Sequence, residues 1–174
     1  MFFSFIVNFA MNKDNLKHAD EIVRKQLIKL LQEAQAHASF DEAIKGLPEK
    51  LRSVVPENLP YSIWQIVEHI RITQWDILEF SRDANHKSPK WPEKYWPKEK
   101  APKDDKQWED TIKQIKADQG EFVELLKDEQ NDLYEPFSWG DGQNLLREAM
   151  LIADHNSYHT GEIIVIRRLL KSWK

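Results

Sequence analysis

The chain has 174 residues, 41% of them apolar and 31% charged, which suits one folded domain and excludes a disordered chain. A formal net charge of −4 and a pI near 5.9 give no electrostatic footprint for nucleic acid, because the lysines and arginines are spread among acids. The absence of cysteine excludes disulfides, thiolate metal ligands and a cysteine nucleophile in this chain, and suits a reducing cytoplasm.

The opening segment Met1–Met11 reads MFFSFIVNFAM. It is too short to span a bilayer, which takes about 20 apolar residues. The first basic residue is Lys13, and no small-residue cleavage site follows, so a secretory signal is not read here. Residues 1–11 are taken as an extension ahead of a natural start at Met11, with a packed N-terminal arm as the alternative. Residues 12–174 are read as a single domain.

Only five glycines occur and strand-like alternation is scarce, so the fold is expected to be all-α. The first helix is expected from about Lys13 to Ala38, with Leu16, Val23, Leu27, Leu30, Leu31 and Ala34 on one face. Gly46, Pro48, Pro56 and Pro60 then break the chain. The second helix begins at Ser62, with Gln65 three residues on in a capping-box pattern, and ends near Arg82. Its stripe is Ile66, Ile70, Thr73, Ile77 and Phe80. The aperiodic stretch 83–103 carries Trp91, Tyr95, Trp96 and four prolines (Pro89, Pro92, Pro97 and Pro102). Connections of this length are often lids or crossovers. Fully extended, ~20 residues reach roughly 66 Å, enough to cross a bundle and leave the second and third helices parallel. The third helix is expected from Asp104 to Lys127 along Trp108, Ile112, Ile115, Phe122 and Leu126, its first acids facing the positive end of the dipole. The fourth runs from Asn144 to Lys171 along Leu145, Ala149, Ile152, Ile163, Ile166 and Leu170.

Histidines interrupt these stripes. His155 and His159 stand where two more apolar residues belong in the fourth helix, and four-residue spacing puts them on one face. His69 lies on or beside the buried face of the second. If those helices are antiparallel, His69 sits ~20 Å above the lower end, and His155 and His159 about 16 and 22 Å above it. Each imidazole has two ring nitrogens needing partners, and a shared metal ion answers that need. His18 and His37 are assigned to the first helix and His86 to the long loop, without roles.

The segments Tyr61-Ser-Ile-Trp-Gln-Ile-Val-Glu-His-Ile-Arg-Ile-Thr-Gln-Trp75 and Asp154-His-Asn-Ser-Tyr-His-Thr-Gly-Glu162 resemble the DinB-like superfamily, the damage-inducible, YfiT-like group of metal-dependent proteins. The resemblance covers nearly all the chain after Met11, and His69, His155 and His159 match its three ligand positions one by one. It implies an up-down-down-up four-helix bundle with a long crossover between the second and third helices. It further implies a three-histidine metal centre, frequent homodimers and, in some members, thiol-dependent transferase or isomerase activity.

Three protein ligands leave a position open for water or substrate, so hydrolysis and thiol transfer are both chemically open. The expected ion is one divalent transition metal (zinc, nickel, iron or manganese), with a thiol as a cosubstrate. The expected partners are a small molecule and a second copy of the chain, with neither nucleic acid nor membrane. Glu148 and Glu162 are each seven residues from His155, and Asp76 is seven from His69, so these acids are candidates to orient a ligand or handle a proton. Trp64, Trp91, Trp96 and Trp139 are candidates to wall a pocket. Gly161 would let a neighbouring helix approach, and Gly140-Asp-Gly142 reads as the turn before the fourth helix. The alternative to a hydrolase or thiol transferase is a non-catalytic stress-response or binding bundle with a structural or vestigial metal.

Overall fold

A computed structural model describes residues 13–33 and 35–173; the expectations for residues 1–11 and for Ala34 lie outside the described residues. Five α-helices follow in chain order: α1 (Lys13–Gln32), α2 (Phe40–Ile44), α3 (Ile63–Arg82), α4 (Asp105–Lys127) and α5 (Leu145–Leu169), with a short 3-10 turn at Glu49–Leu51. No strand occurs among the described residues.

The long helices start where their capping residues stand. Ser62 accepts from the Gln65 amide while Gln65 reaches back to the Ser62 amide, closing the box at the head of α3. Asp104 and Asn144 cap α4 and α5 by accepting from Gln107 and Arg147. Each such cap contributes about 1 kcal/mol.

The first helix is shorter than its periodicity suggested. It ends at Gln32, and a separate helix begins at Phe40 because Ser39 and Glu42 form their own capping box. His37 therefore lies outside α1. The buried face of α1 is Arg24, Leu27 and Leu31, whereas Leu16 and Leu30 are about half exposed.

Inter-helix hydrogen bonds set the pairwise directions. Glu68 accepts from Thr111, Gln74 donates to the Ile115 carbonyl, and Arg82 pairs with Glu121, so α3 and α4 run parallel. Arg24 donates to the Leu126 carbonyl and Gln119 to that of Leu31, so α1 and α4 are antiparallel. Trp139, just ahead of α5, donates to the Phe80 carbonyl near the end of α3, while Ile66 and Ile166 share a cleft at the other end. Hence α3 and α5 are antiparallel. The crossover 83–104 makes the parallel α3–α4 pair possible.

The apolar core divides in two. One cluster gathers Leu27, Leu78, Phe122, Leu126, Leu145 and Ile152; the other gathers Ile63, Trp64, Ile70, Trp108, Ile115 and Ile163. Between them the chain places polar side chains on three helices: Gln74 on α3, Asp118 on α4, and His155, Asn156 and His159 on α5. Fully burying a side chain such as Phe122 contributes about 1.5–3 kcal/mol. The polar layer forgoes that gain, and a buried polar group without a partner would add a penalty.

Candidate metal centre

His69 on α3 meets His155 and His159 on α5 in the bundle interior, with one ring nitrogen from each within 4.8 Å of the others. His69 and His159 are buried and His155 is half-buried. The four-residue step on α5 brings its two rings to 4.4 Å between centroids, and the His69 ring sits 4.8 and 4.7 Å from them.

The partners of these rings decide where their protons reside. His69 Nδ1 lies 2.9 Å from the Tyr95 carbonyl, which can only accept, so Nδ1 carries the proton. His159 Nδ1 lies 2.7 Å from a carboxylate oxygen of Glu162, with the same consequence. His155 is reached through a relay. Gln74 donates to the Ile115 carbonyl at 2.6 Å, Asn156 donates to Gln74 Oε1 at 2.7 Å, and the Asn156 oxygen is thereby turned towards His155 Nδ1 at 3.4 Å. All three rings therefore turn an unprotonated Nε2 inward. His69 Nε2 and His155 Nε2 are only 3.0 Å apart, and in these tautomers neither has a proton to give the other. That donor set fits a cation, and two imidazoles on one ion with bonds of about 2.1 Å bring their nitrogens to a similar separation.

Burial keeps two of the rings, those of His69 and His155, neutral. Burial pushes the His69 imidazole down to about 4; the Tyr95 carbonyl pulls weakly the other way and His159 adds a little repulsion. His155 also falls to about 4, through burial first and then repulsion from His159 and His69. Neutral imidazole is the form that binds metal.

The crossover loop closes one side. Trp96 stacks on His69 at 3.9 Å between centroids with an 10° interplanar angle, and Tyr61 stacks on the other face of Trp96 at 3.7 Å. The loop is tied to one side of α3 by Ser62 donating to the Lys100 carbonyl, Gln65 to that of Pro97, and His69 to that of Tyr95. Farther along α3, buried Asp76 accepts from the Tyr95 hydroxyl at 2.5 Å and from His86 Nε2 at 2.7 Å. Burial pushes the Tyr95 phenol up, and the bond to Asp76 reinforces the shift.

The three candidate acids thus have different surroundings. Glu162 bonds directly to His159, three residues earlier on the same helix. Asp76 makes its hydrogen bonds to Tyr95 and His86 rather than to His69, and it bears on that ring only through the residue whose carbonyl holds it. Glu148 is buried and bonded to Arg147; burial raises its pKa against the pull of that arginine. Sequence reasoning missed the Tyr95 carbonyl, the Gln74–Asn156 relay and His86.

Of the four tryptophans, Trp96 alone stacks on a histidine of the cluster. Trp64 is core, Trp91 is exposed against Tyr95, and Trp139 stacks on Phe137. Gly161 is exposed and admits no neighbouring helix, since a Cβ there would meet nothing within 4 Å.

A family model described as the DinB superfamily matches residues 26–163, a span that contains all three histidines. The chain belongs to the DinB superfamily. The quoted segments around His69 and His155 thus lie inside the span that defines membership in this superfamily. No curated protein and no solved structure matches the chain. No described helix is long and apolar enough to cross a membrane.

Proposed function

We propose that this DinB-superfamily chain holds one divalent transition metal (zinc, nickel, iron or manganese) on His69, His155 and His159, and works as a metal-dependent hydrolase or thiol-dependent transferase on a small molecule. One observation carries the reading: three Nε2 lone pairs converge while each Nδ1 faces an acceptor. When bound, such an ion supplies Lewis acidity, lowering the pKa of water or polarising a carbonyl, or it takes up a thiolate.

The chain's own residues do the rest. The Tyr95 carbonyl, Glu162 and Asn156 fix ring orientation and raise ligand basicity. Trp96 covers the His69 face and excludes water there. Glu162 accepts the His159 Nδ1 proton and so fixes the tautomer that leaves Nε2 for the ion. A homodimer, which rests on the resemblance, and a cytoplasmic location, which the absence of cysteine suits, belong to the same proposal.

The deep placement of His69 and His159 between two apolar clusters favours a second reading, a structural metal in a non-catalytic stress-response or binding bundle. Ester, amide and thiol-acceptor substrates, each offered with and without a thiol cosubstrate to native and chelator-treated protein, separate the two. Turnover that disappears with the metal and returns on reloading supports the enzyme. A large loss of stability on chelation, with no turnover before it, supports the structural role.

A further inference from the structure

The outward face of α5 is an exposed stripe at helical spacing: Met150, Asp154, Tyr158, Gly161, Val165 and Arg168. Met150, Tyr158 and Val165, with Leu169 beyond them, leave about half or more of their surface in water. Single exposed apolar residues are ordinary, but several on one helix face mark a contact surface. Gly161 stands at the centre of the stripe, inside a helix where glycine is the least favourable residue after proline. Neither a positive φ nor packing within the chain calls for it, because a Cβ there meets nothing within 4 Å.

The charges of the stripe are placed symmetrically. Asp154 lies seven residues before Gly161 and Arg168 seven after it. Each is therefore ~10 Å from the glycine along the axis. A heptad drifts only about 20° round a helix, so all three share one line. Neither charged side chain has a hydrogen-bond or ion-pair partner among the described residues. A second α5 crossing antiparallel at Gly161 sets Asp154 of each copy against Arg168 of the other, once on either side of the crossing. A parallel pair would set like charge against like, which is unfavourable.

We propose that this face of α5 binds a second copy of the chain, the two helices crossing antiparallel at Gly161 under two opposite Asp154–Arg168 pairs. The proposal rests on the homodimer reading above and is independent of the metal. Glycine at the crossing lets the two backbones approach closely. The same two-fold operation carries Tyr158 of one copy beside Val165 of the other. An apolar cleft of about 350 Å³, lined by Pro60, Tyr61 and Val165 among others, opens there to take the ring. Such an interface is isologous and closes at two copies.

Sedimentation of the full-length chain over a range of concentrations tests this. Asp154→Arg and Arg168→Asp should each weaken the dimer at least about tenfold, because like charges then meet twice. The double variant, which only exchanges the two charges, should restore the native dissociation constant. Cross-linking gives a second readout, since the chain has no cysteine. Gly161→Cys puts one thiol from each copy at the crossing, within disulfide reach, and diamide should convert it to a covalent dimer. Lys113→Cys, exposed on α4, should stay monomeric on denaturing gels under the same treatment. A dimer that neither reversal weakens, or that the double variant does not restore, overturns the α5 face and leaves the homodimer reading standing. Gly161→Cys that cross-links no faster than Lys113→Cys overturns the face as well. A native chain that stays monomeric at every concentration sinks both readings.

Discussion

His69 and His155 face one another Nε2 to Nε2 at 3.0 Å, and each ring has its proton drawn to the opposite nitrogen. Two lone pairs at that distance repel unless a cation lies between them. The groups that impose this arrangement are a main-chain carbonyl and a side-chain relay that begins at another carbonyl, neither of which can reverse its polarity. The consequences can be measured.

Removing the groups that orient the rings should weaken metal binding without removing a ligand. Glu162→Ala frees the His159 ring, and Gln74→Leu breaks the relay to His155. Each is expected to lower zinc affinity about 10–100-fold, the usual effect of losing such a partner. Competition titration against a chromophoric chelator measures it.

Tyr95→Phe should act on stability and on the site together. The hydroxyl it removes is bonded to buried Asp76, whose other partner is His86. A loss of about 1–3 kcal/mol in urea unfolding of the metal-free protein is expected. Zinc affinity should fall as well, because the carbonyl of the same residue orients His69.

Metal-free protein should lose stability on mild acidification. His69 and His155 titrate near 4 in the fold against an ordinary value of about 6.5, so the unfolded chain takes up protons that the folded chain refuses. Stability from these groups is complete above pH 6.5 and is lost as pH falls from about 6.5 towards 4. Urea midpoints at pH 7.5, 6.0 and 5.0 read the slope, which should be shallower in His155→Gln. A slope unchanged by that substitution would contradict the assignment.

Arg24→Met should destabilise the end of the bundle away from the histidines. The Arg24 guanidinium donates to the carbonyls of Leu126, Asp128 and Asn131 as α4 ends, and its Nε pairs with Asp20. Leaving those carbonyls without their donor should cost about 2–3 kcal/mol in urea unfolding, with no change in zinc affinity.

Much of this molecule was legible in its sequence, for reasons that differ by residue. Ser62, Asp104 and Asn144 mark helix starts because capping is local chemistry, and the starts fall there. The same chemistry at Ser39 and Glu42 starts a separate short helix that was not anticipated, and α1 ends at Gln32, earlier than its period suggested. Leu16 and Leu30 fit the helical period yet stay about half exposed, since period alone does not say which face meets a neighbour. His69, His155 and His159 stood out as imidazoles in apolar stripes, and the antiparallel α3–α5 pair brings them together. Glu162 was noticed by its spacing from His155, whereas its bond is to His159, one turn back. The Tyr95 carbonyl and the Asp76–His86 pair leave no pattern in sequence, because a main-chain acceptor has no residue type and a loop contact no period.

Metal content per chain tests the central claim most directly, determined by elemental analysis on purified native protein and on His155→Ala after equal exposure to zinc. Circular dichroism should show that both are helical. The three-histidine centre predicts about one equivalent in the native chain and a small fraction of that in the variant. Equal content in the two, whether one equivalent or none, would contradict it.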